Sequence, residues 1–206
     1  AEEDPALRLL IASNLGSTCM VLGRTAEAER WCRVGIAHTV PVHEVGGDPQ
    51  NRIRCLSGLA ILCEQAGRTG EAEAFGAEAL AESERADDPL ATASVWLFAA
   101  VRHTNAGRHR VSEELLDRAR RAGEAAGDRM VVARALDERG IVALDEGHID
   151  HALACFDEAL RHLTILGRTH AADQILVWQG VALSLTGDPR GLQRLREAAS
   201  SAVRMV

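Results

Sequence analysis

The sequence predicts an all-α protein, a right-handed superhelical α-solenoid of five helix-turn-helix repeats with about ten antiparallel helices. Three observations predict it. Glycines recur at a nearly fixed step, small residues recur in register with them, and aspartates recur where helices are expected to begin. The composition fits closely packed helices, because 47% of the residues are apolar and only 3% are aromatic. We therefore interpret residues 1–206 as a single solenoid domain.

The glycine marker follows five apolar stretches of helical character. Gly23, Gly67, Gly107, Gly147 and Gly187 are separated by 44, 40, 40 and 40 residues. Glycine readily adopts the left-handed backbone conformation that ends many helices. Each of these glycines therefore predicts the turn between the two helices of one repeat.

Small residues occupy two further positions of the same period, seven residues before the turn glycine and five residues after it. Small side chains at these positions let the two helices of a repeat cross closely. The earlier position holds Gly16, Ala60, Ala100, Gly140 and Gly180, and the later one holds Ala28, Ala72, Ser112, Ala152 and, in the last repeat, Leu192.

The aspartate marker predicts where the first helix of each repeat begins. Asp4, Asp48, Asp88 and Asp128 step by 44, 40 and 40 residues, and the first three precede a proline. An aspartate at the N-cap accepts hydrogen bonds from free backbone amides, and proline suits the first helical position. The second helices are expected to be capped by Thr25, Thr69 and Asp188.

These markers together set the predicted boundaries of helices and repeats. The repeats are 5–47, 48–87, 88–127, 128–167 and 168–206. The helices are 5–22, 25–38, 49–66, 69–85, 89–106, 109–126, 129–146, 149–166, 169–186 and 189–205. The first repeat is four residues longer than the others, and the excess falls in a predicted loop from His38 to Gly47.

The repeat resembles the tetratricopeptide repeat (TPR) over essentially the whole chain. The residues that carry the resemblance are Leu15, Gly16, Cys19, Gly23, Ala28, Cys32 and Gly35 in the first repeat, and Arg139, Gly140, Ala143, Gly147, Ala152, Phe156 and Ala159 in the fourth. The family's usual period is about 34 residues, so the helices here are longer.

Two segments, GRTAEAERWCRVGIA and EGHIDHALACFDEALRHLTILGR, are similar to the helical sensor region of bacterial large ATP-binding LuxR-type transcriptional regulators. In that family an ATPase module precedes the solenoid and a DNA-binding helix-turn-helix follows it. Because the first residue is not Met, we expect a piece of a longer polypeptide, and because residues 1–5 lack the positive start and apolar run of a secretory signal, we expect a cytoplasmic location.

The resemblance also implies a binding surface formed by the first helix of each repeat, where an extended peptide would lie. The groove positions are Ser13, Ser17, Arg54, Ser57, Ile61, Gln65, Leu97, Val101, Asn105, Arg134, Asp137, Ile141 and Asp145. Amides such as Gln65 and Asn105 suit a peptide backbone, and Arg54 and Arg134 suit a carboxylate. The alternative is that these residues are simply solvated.

No catalytic motif or metal site is expected, and we predict neither an enzyme nor a cofactor. The sequence has no phosphate-binding loop, nucleophile elbow, HExxH or dinucleotide fingerprint. His148 and His151 are the closest histidine pair, but no third ligand is placed near them. The five cysteines include no CxxC pair and are interpreted as small buried side chains in preference to disulfide partners or metal ligands.

Charge and hydropathy limit the partners further. The net charge of −7 argues against direct nucleic-acid binding by this segment, and no apolar stretch is long enough to span a membrane. Two functions of different class remain. The first is a scaffold or sensor that binds a peptide or protein segment, with domains of the same chain among the candidate partners; the second is a self-association module that forms a homodimer.

Overall fold

A computed structural model describes residues 5–37, 49–167 and 169–203, and within these ranges the chain forms ten helices and no strand. The helices are α1 (Pro5–Val21), α2 (Thr25–Ala37), α3 (Pro49–Gln65), α4 (Thr69–Arg85), α5 (Pro89–Asn105), α6 (His109–Ala126), α7 (Arg129–Asp145), α8 (Ile149–Ile165), α9 (Thr169–Leu185) and α10 (Arg190–Val203). The predicted all-α repeat fold is confirmed. The loop expected at 38–47 lies outside the described residues.

The helices group into two compact units, Ala1–Arg108 and His109–Val206. In the first unit, α1 packs on α2 and α3 on α4, while α3 also contacts α1 and α5. In the second unit, α7 packs on α8 and α9 on α10, and α7 also contacts α9. In both units, therefore, helices that begin successive repeats lie against one another. That the whole chain is one domain stays a prediction.

Helix ends follow the predicted glycine and aspartate markers. The five turn glycines all have positive φ, from 68° to 79°. The Asp88 carboxylate accepts hydrogen bonds from the amides of Leu90 and Ala91, and Asp128 accepts from Met130 and Val131. Asp4 and Asp48 lie outside the described residues.

The predicted caps of the second helices are only partly present. Asp188 accepts a hydrogen bond from the amide of Arg190 at 2.8 Å and so caps α10. Thr69 does not cap α4, because it is the first residue of that helix and the N-cap position is Arg68, whose side chain makes no capping hydrogen bond. Arg68 instead forms an ion pair with Glu29 of α2 at 2.7 Å.

The small residues that recur in the sequence lie where paired helices approach most closely. A Cβ added at Gly16 of α1 would meet the Cys32 sulfur of α2 at 2.7 Å, and one added at Gly180 of α9 would meet Leu195 of α10 at 2.7 Å. The alanines of the same register are buried: Ala28, Ala60, Ala72, Ala100 and Ala152. This confirms the predicted close crossing at these positions.

Each unit has an apolar core between its helices. In the first unit Ile53, Leu56 and Val95 pack together, and in the second unit Val132 and Phe156 belong to a cluster that also includes Leu136, Leu163 and Ile175. All five cysteines are free and buried, as expected of small core side chains.

Candidate functional site

A cavity of about 170 Å³ lies between the first helices of the last two repeats, within the second unit. Its walls come from α7, the end of α8 and the beginning of α9. The lining residues are Met130, Ala133, Arg134, Asp137, Glu138, Leu163, Ala171, Gln174 and Ile175. A water molecule occupies about 30 Å³ in the liquid, so the cavity accommodates the polar end of a side chain together with part of the stem that carries it.

Helix α7 positions the polar groups of this cavity. Asp137 lies three residues after Arg134, and Glu138 lies four residues after it. At these spacings the three side chains project from one side of α7. The helix is fixed at its start by the Asp128 cap and in its second half by close packing of Gly140 on α8. The polar groups are therefore presented from a rigid element.

Burial governs the electrostatics of the two carboxyl groups. Desolvation raises the pKa of Asp137 to about 7, although the nearby Arg134 guanidinium acts in the opposite direction. Desolvation, with a smaller contribution from the Asp137 charge, also raises the pKa of Glu138 to about 7. The Asp137 Oδ1 atom is buried and has no hydrogen-bond partner among the described residues. Such perturbed carboxyl groups in a cleft are typical of functional sites.

The structure brings some of the predicted groove residues into this cavity and leaves others out. Arg134 and Asp137, both predicted from the sequence, line the cavity together. Ile141, one turn further along α7, is half-buried and does not line it. Asp145 lies at the end of α7 and is exposed.

The predicted groove positions of the first unit differ from one another in exposure. Ser57, Ile61 and Leu97 are only 3%, 6% and 1% exposed, so their side chains are packed inside the first unit. The two apolar side chains at these positions gain about 25 cal/mol per Å² by leaving water, which is why a register taken from a family resemblance misplaces them. Gln65 and Asn105 are exposed at helix ends, and Val101 is half-buried.

Arg54 interacts locally instead of standing free. Its guanidinium lies 3.5 Å from the side-chain oxygen of Asn14 on α1, a long hydrogen bond. Ser13 of the same helix is buried, at 1% exposure.

Sequence reasoning missed Glu138 and the α9 wall of the cavity. Helix α7 has buried residues on several sides, among them Val131, Val132, Ala135 and Leu136. A helix of that kind is packed on several faces, so charged residues within it are forced into partly buried positions. The adjacent acids Asp137 and Glu138 in such a helix were the signal that identifies the site.

The described residues hold no group of three or more His, Cys, Asp or Glu side chains arranged to bind a metal ion. His148 lies beside Glu146 at 3.4 Å and is exposed. Among the described helices none is long and apolar enough to cross a membrane.

No protein-family profile and no curated protein matches the sequence. Solved structures match in fold. BtubC from P. vanneervenii is 19% identical with a TM-score of 0.65, over 94% of this chain and 79% of that one. A Podosopora anserina protein with nearly identical TPR-like repeats is 13% identical with a TM-score of 0.60, over 100% of this chain and 99% of that one.

A third similar structure is a Signal Transduction ATPase with Numerous Domains (STAND) protein with a tetratricopeptide repeat sensor, from Pyrococcus horikoshii. It is 14% identical with a TM-score of 0.58, over 99% of this chain but only 31% of that one. At these identities the likeness concerns the fold alone. The chain thus has a TPR-type helical repeat fold.

Proposed function

We propose that this chain is a non-catalytic scaffold or sensor module that binds a peptide or protein segment along the first helices of its repeats. One observation carries the proposal: Arg134, Asp137 and Glu138 converge on a cavity between α7 and α9. Binding sites commonly combine apolar walls with a few positioned polar groups. Repeat folds present such sites along stacked helices, where an extended segment is read by successive repeats.

The proposal extends to the kind of protein in which this module works. We expect the chain to serve as the sensor region of a bacterial, cytoplasmic transcriptional regulator of the LuxR type, in which the bound segment comes from another protein or from another domain of the same chain. The fold likeness to a STAND protein with a TPR sensor supports this setting. The segment similarities noted in the sequence point in the same direction.

Selection from a displayed random peptide library, followed by calorimetry with the selected peptide, tests the proposal. Arg134→Ala and Asp137→Asn should each change the affinity by at least tenfold, since both side chains line the cavity. Arg110→Ala is the matched control, because Arg110 is an exposed arginine of α6 that does not line the cavity. Equal affinity for all three variants and the parent protein would reject this surface as the binding site.

A second candidate, self-association into a homodimer, is favoured by an apolar stripe on α1. Leu7, Leu10, Ile11 and Leu15 are 54%, 42%, 47% and 36% exposed. Their spacing places them along one side of the helix, and contiguous exposed apolar surface often marks an interface. Light scattering over a concentration series tests this: a dimer that Ile11→Glu dissociates supports it, and a monomer at every concentration rules it out.

A further inference from the structure

We infer that the cavity between α7 and α9 accepts a cationic side chain, an arginine or a lysine of the bound segment, whose charged group is held by Asp137 and Glu138. The inference rests on the proposed peptide-binding function and specifies the chemistry of its ligand. It is carried by three properties of the cavity: its charge, its uncompensated hydrogen-bond acceptor and its apolar walls.

The charge of the cavity is negative once its carboxyl groups are ionised. Among the described residues, those that α8 and α9 contribute to the lining are uncharged, namely Leu163, Ala171, Gln174 and Ile175. The charged groups of the described lining belong to α7, which contributes two carboxyl groups and one guanidinium, that of Arg134. The Arg134 guanidinium lowers the pKa of both carboxyl groups, but by less than burial raises it. A cation is therefore the ligand that this field favours.

The acceptor is the buried Asp137 Oδ1 atom, which lacks a hydrogen-bond partner among the described residues. Leaving a buried polar atom unsatisfied costs about 1–3 kcal/mol, and more when the group is charged. A guanidinium carries five N–H donors in a planar fork, and an ammonium carries three, so either satisfies two adjacent carboxylates at once. A neutral apolar side chain would leave Oδ1 unsatisfied.

The apolar walls match the remainder of such a side chain. Ala133, Leu163 and Ile175 line the cavity, and all three belong to the core between α7, α8 and α9. Arginine and lysine carry three or four methylene groups that pack on apolar surface while the charged end stays polar. The volume of about 170 Å³ is sufficient for the charged group and part of its stem.

The raised pKa values couple this binding to pH. A cation binds the ionised carboxylates, so it must displace protons from groups whose pKa is about 7. For one such group the ionised fraction rises about tenfold between pH 6 and pH 8. The affinity for a cationic ligand is thus expected to rise roughly tenfold over this range.

The test uses Nα-acetyl-arginine amide as the probe and Nα-acetyl-norleucine amide as its uncharged counterpart, with binding followed by NMR titration of the isotopically labelled chain. We expect the arginine probe to shift signals of α7 and α9, to bind about tenfold more tightly at pH 8 than at pH 6, and to lose at least tenfold in affinity in Asp137→Asn/Glu138→Gln. Glu158→Gln, an exposed acid on α8, should change nothing.

Equal binding of the two probes, or arginine binding that is unaffected by the double variant or by pH, would overturn the inference. Glu138→Gln alone serves as a second variant if the double variant does not retain its helical circular dichroism. The outcome is separable from the proposed function. A selected peptide that binds this surface without an arginine or lysine would support the peptide-binding function and refute the cation site. Binding of the arginine probe with no peptide selected would support the cation site and refute the peptide-binding function.

Discussion

Gly140 of α7 lies directly against the ring of Phe156 of α8, so closely that a Cβ at position 140 would overlap three ring atoms. Phe156 is completely buried and lies at the centre of the core of the second unit. This contact sets how near α7 approaches α8. It therefore also fixes the helix that carries the cavity residues.

Gly140→Ala should destabilise the chain by about 1–3 kcal/mol, because the added methyl group overpacks a filled core. Phe156→Leu in the same background should recover part of that loss by vacating the space. Urea denaturation of the single and double variants measures the effect. Gly70→Ala is the control, since a Cβ there meets nothing within 4 Å, and a loss as large as that of Gly140→Ala would show that the contact does not matter.

Asp128→Ala should cost about 0.5–2 kcal/mol by removing the two hydrogen bonds that cap α7. The matched control is His148→Ala, because His148 occupies the same N-cap position of α8 but its side chain makes no capping hydrogen bond. Thermal and urea unfolding of both variants provide the comparison. Similar losses in the two would mean that the Asp128 cap contributes nothing specific.

The raised pKa values of Asp137 and Glu138 predict a pH dependence of stability. The pKa of each carboxyl group is about 4 in an unfolded chain and about 7 in the folded chain. Between about pH 4 and about pH 7 the folded state therefore binds more protons than the unfolded state. Their contribution to the free energy of unfolding therefore falls as pH rises from about 4 to about 7 and is constant above that. The scale is roughly 1.4 kcal/mol per pKa unit.

Asp137→Asn/Glu138→Gln should remove this contribution. Urea denaturation at pH 5 and pH 8 provides the measurement, and the variant should gain stability relative to the parent chain at pH 8 compared with pH 5. Parallel pH profiles for the two proteins would contradict the burial of these carboxyl groups.

The repeat could be predicted from sequence because its determinants are local. The turn between two helices requires a residue with positive φ, which glycine adopts whatever its surroundings. The aspartates at 88 and 128 cap the helix that immediately follows them. A close helix crossing is also visible in the sequence, since only a glycine fits at position 140 against the ring of Phe156. Where the local rule is weaker the prediction was wrong, as at Thr69, which is the first residue of α4, whereas Arg68 occupies the N-cap position.

The candidate site was only partly predictable, because a cavity depends on how helices from two repeats pack. Arg134 and Asp137 were expected on the binding surface and do line the cavity. Ser57 and Leu97 hold equivalent register positions but are buried. Gln174 lines the cavity because α9 packs on α7, and the repeat pattern of the sequence does not indicate this contact. Register identifies the face of a helix, whereas packing determines which part of that face is open.

The most direct test of the proposed binding surface is to map a selected peptide onto the chain by NMR. We predict that the largest backbone and side-chain shifts fall on the cavity residues of α7 and α9, among them Arg134, Glu138 and Gln174, with little change on the exposed side of α8. Shifts confined to α8 and α10, with the signals of Arg134 and Gln174 unmoved at saturation, would contradict it.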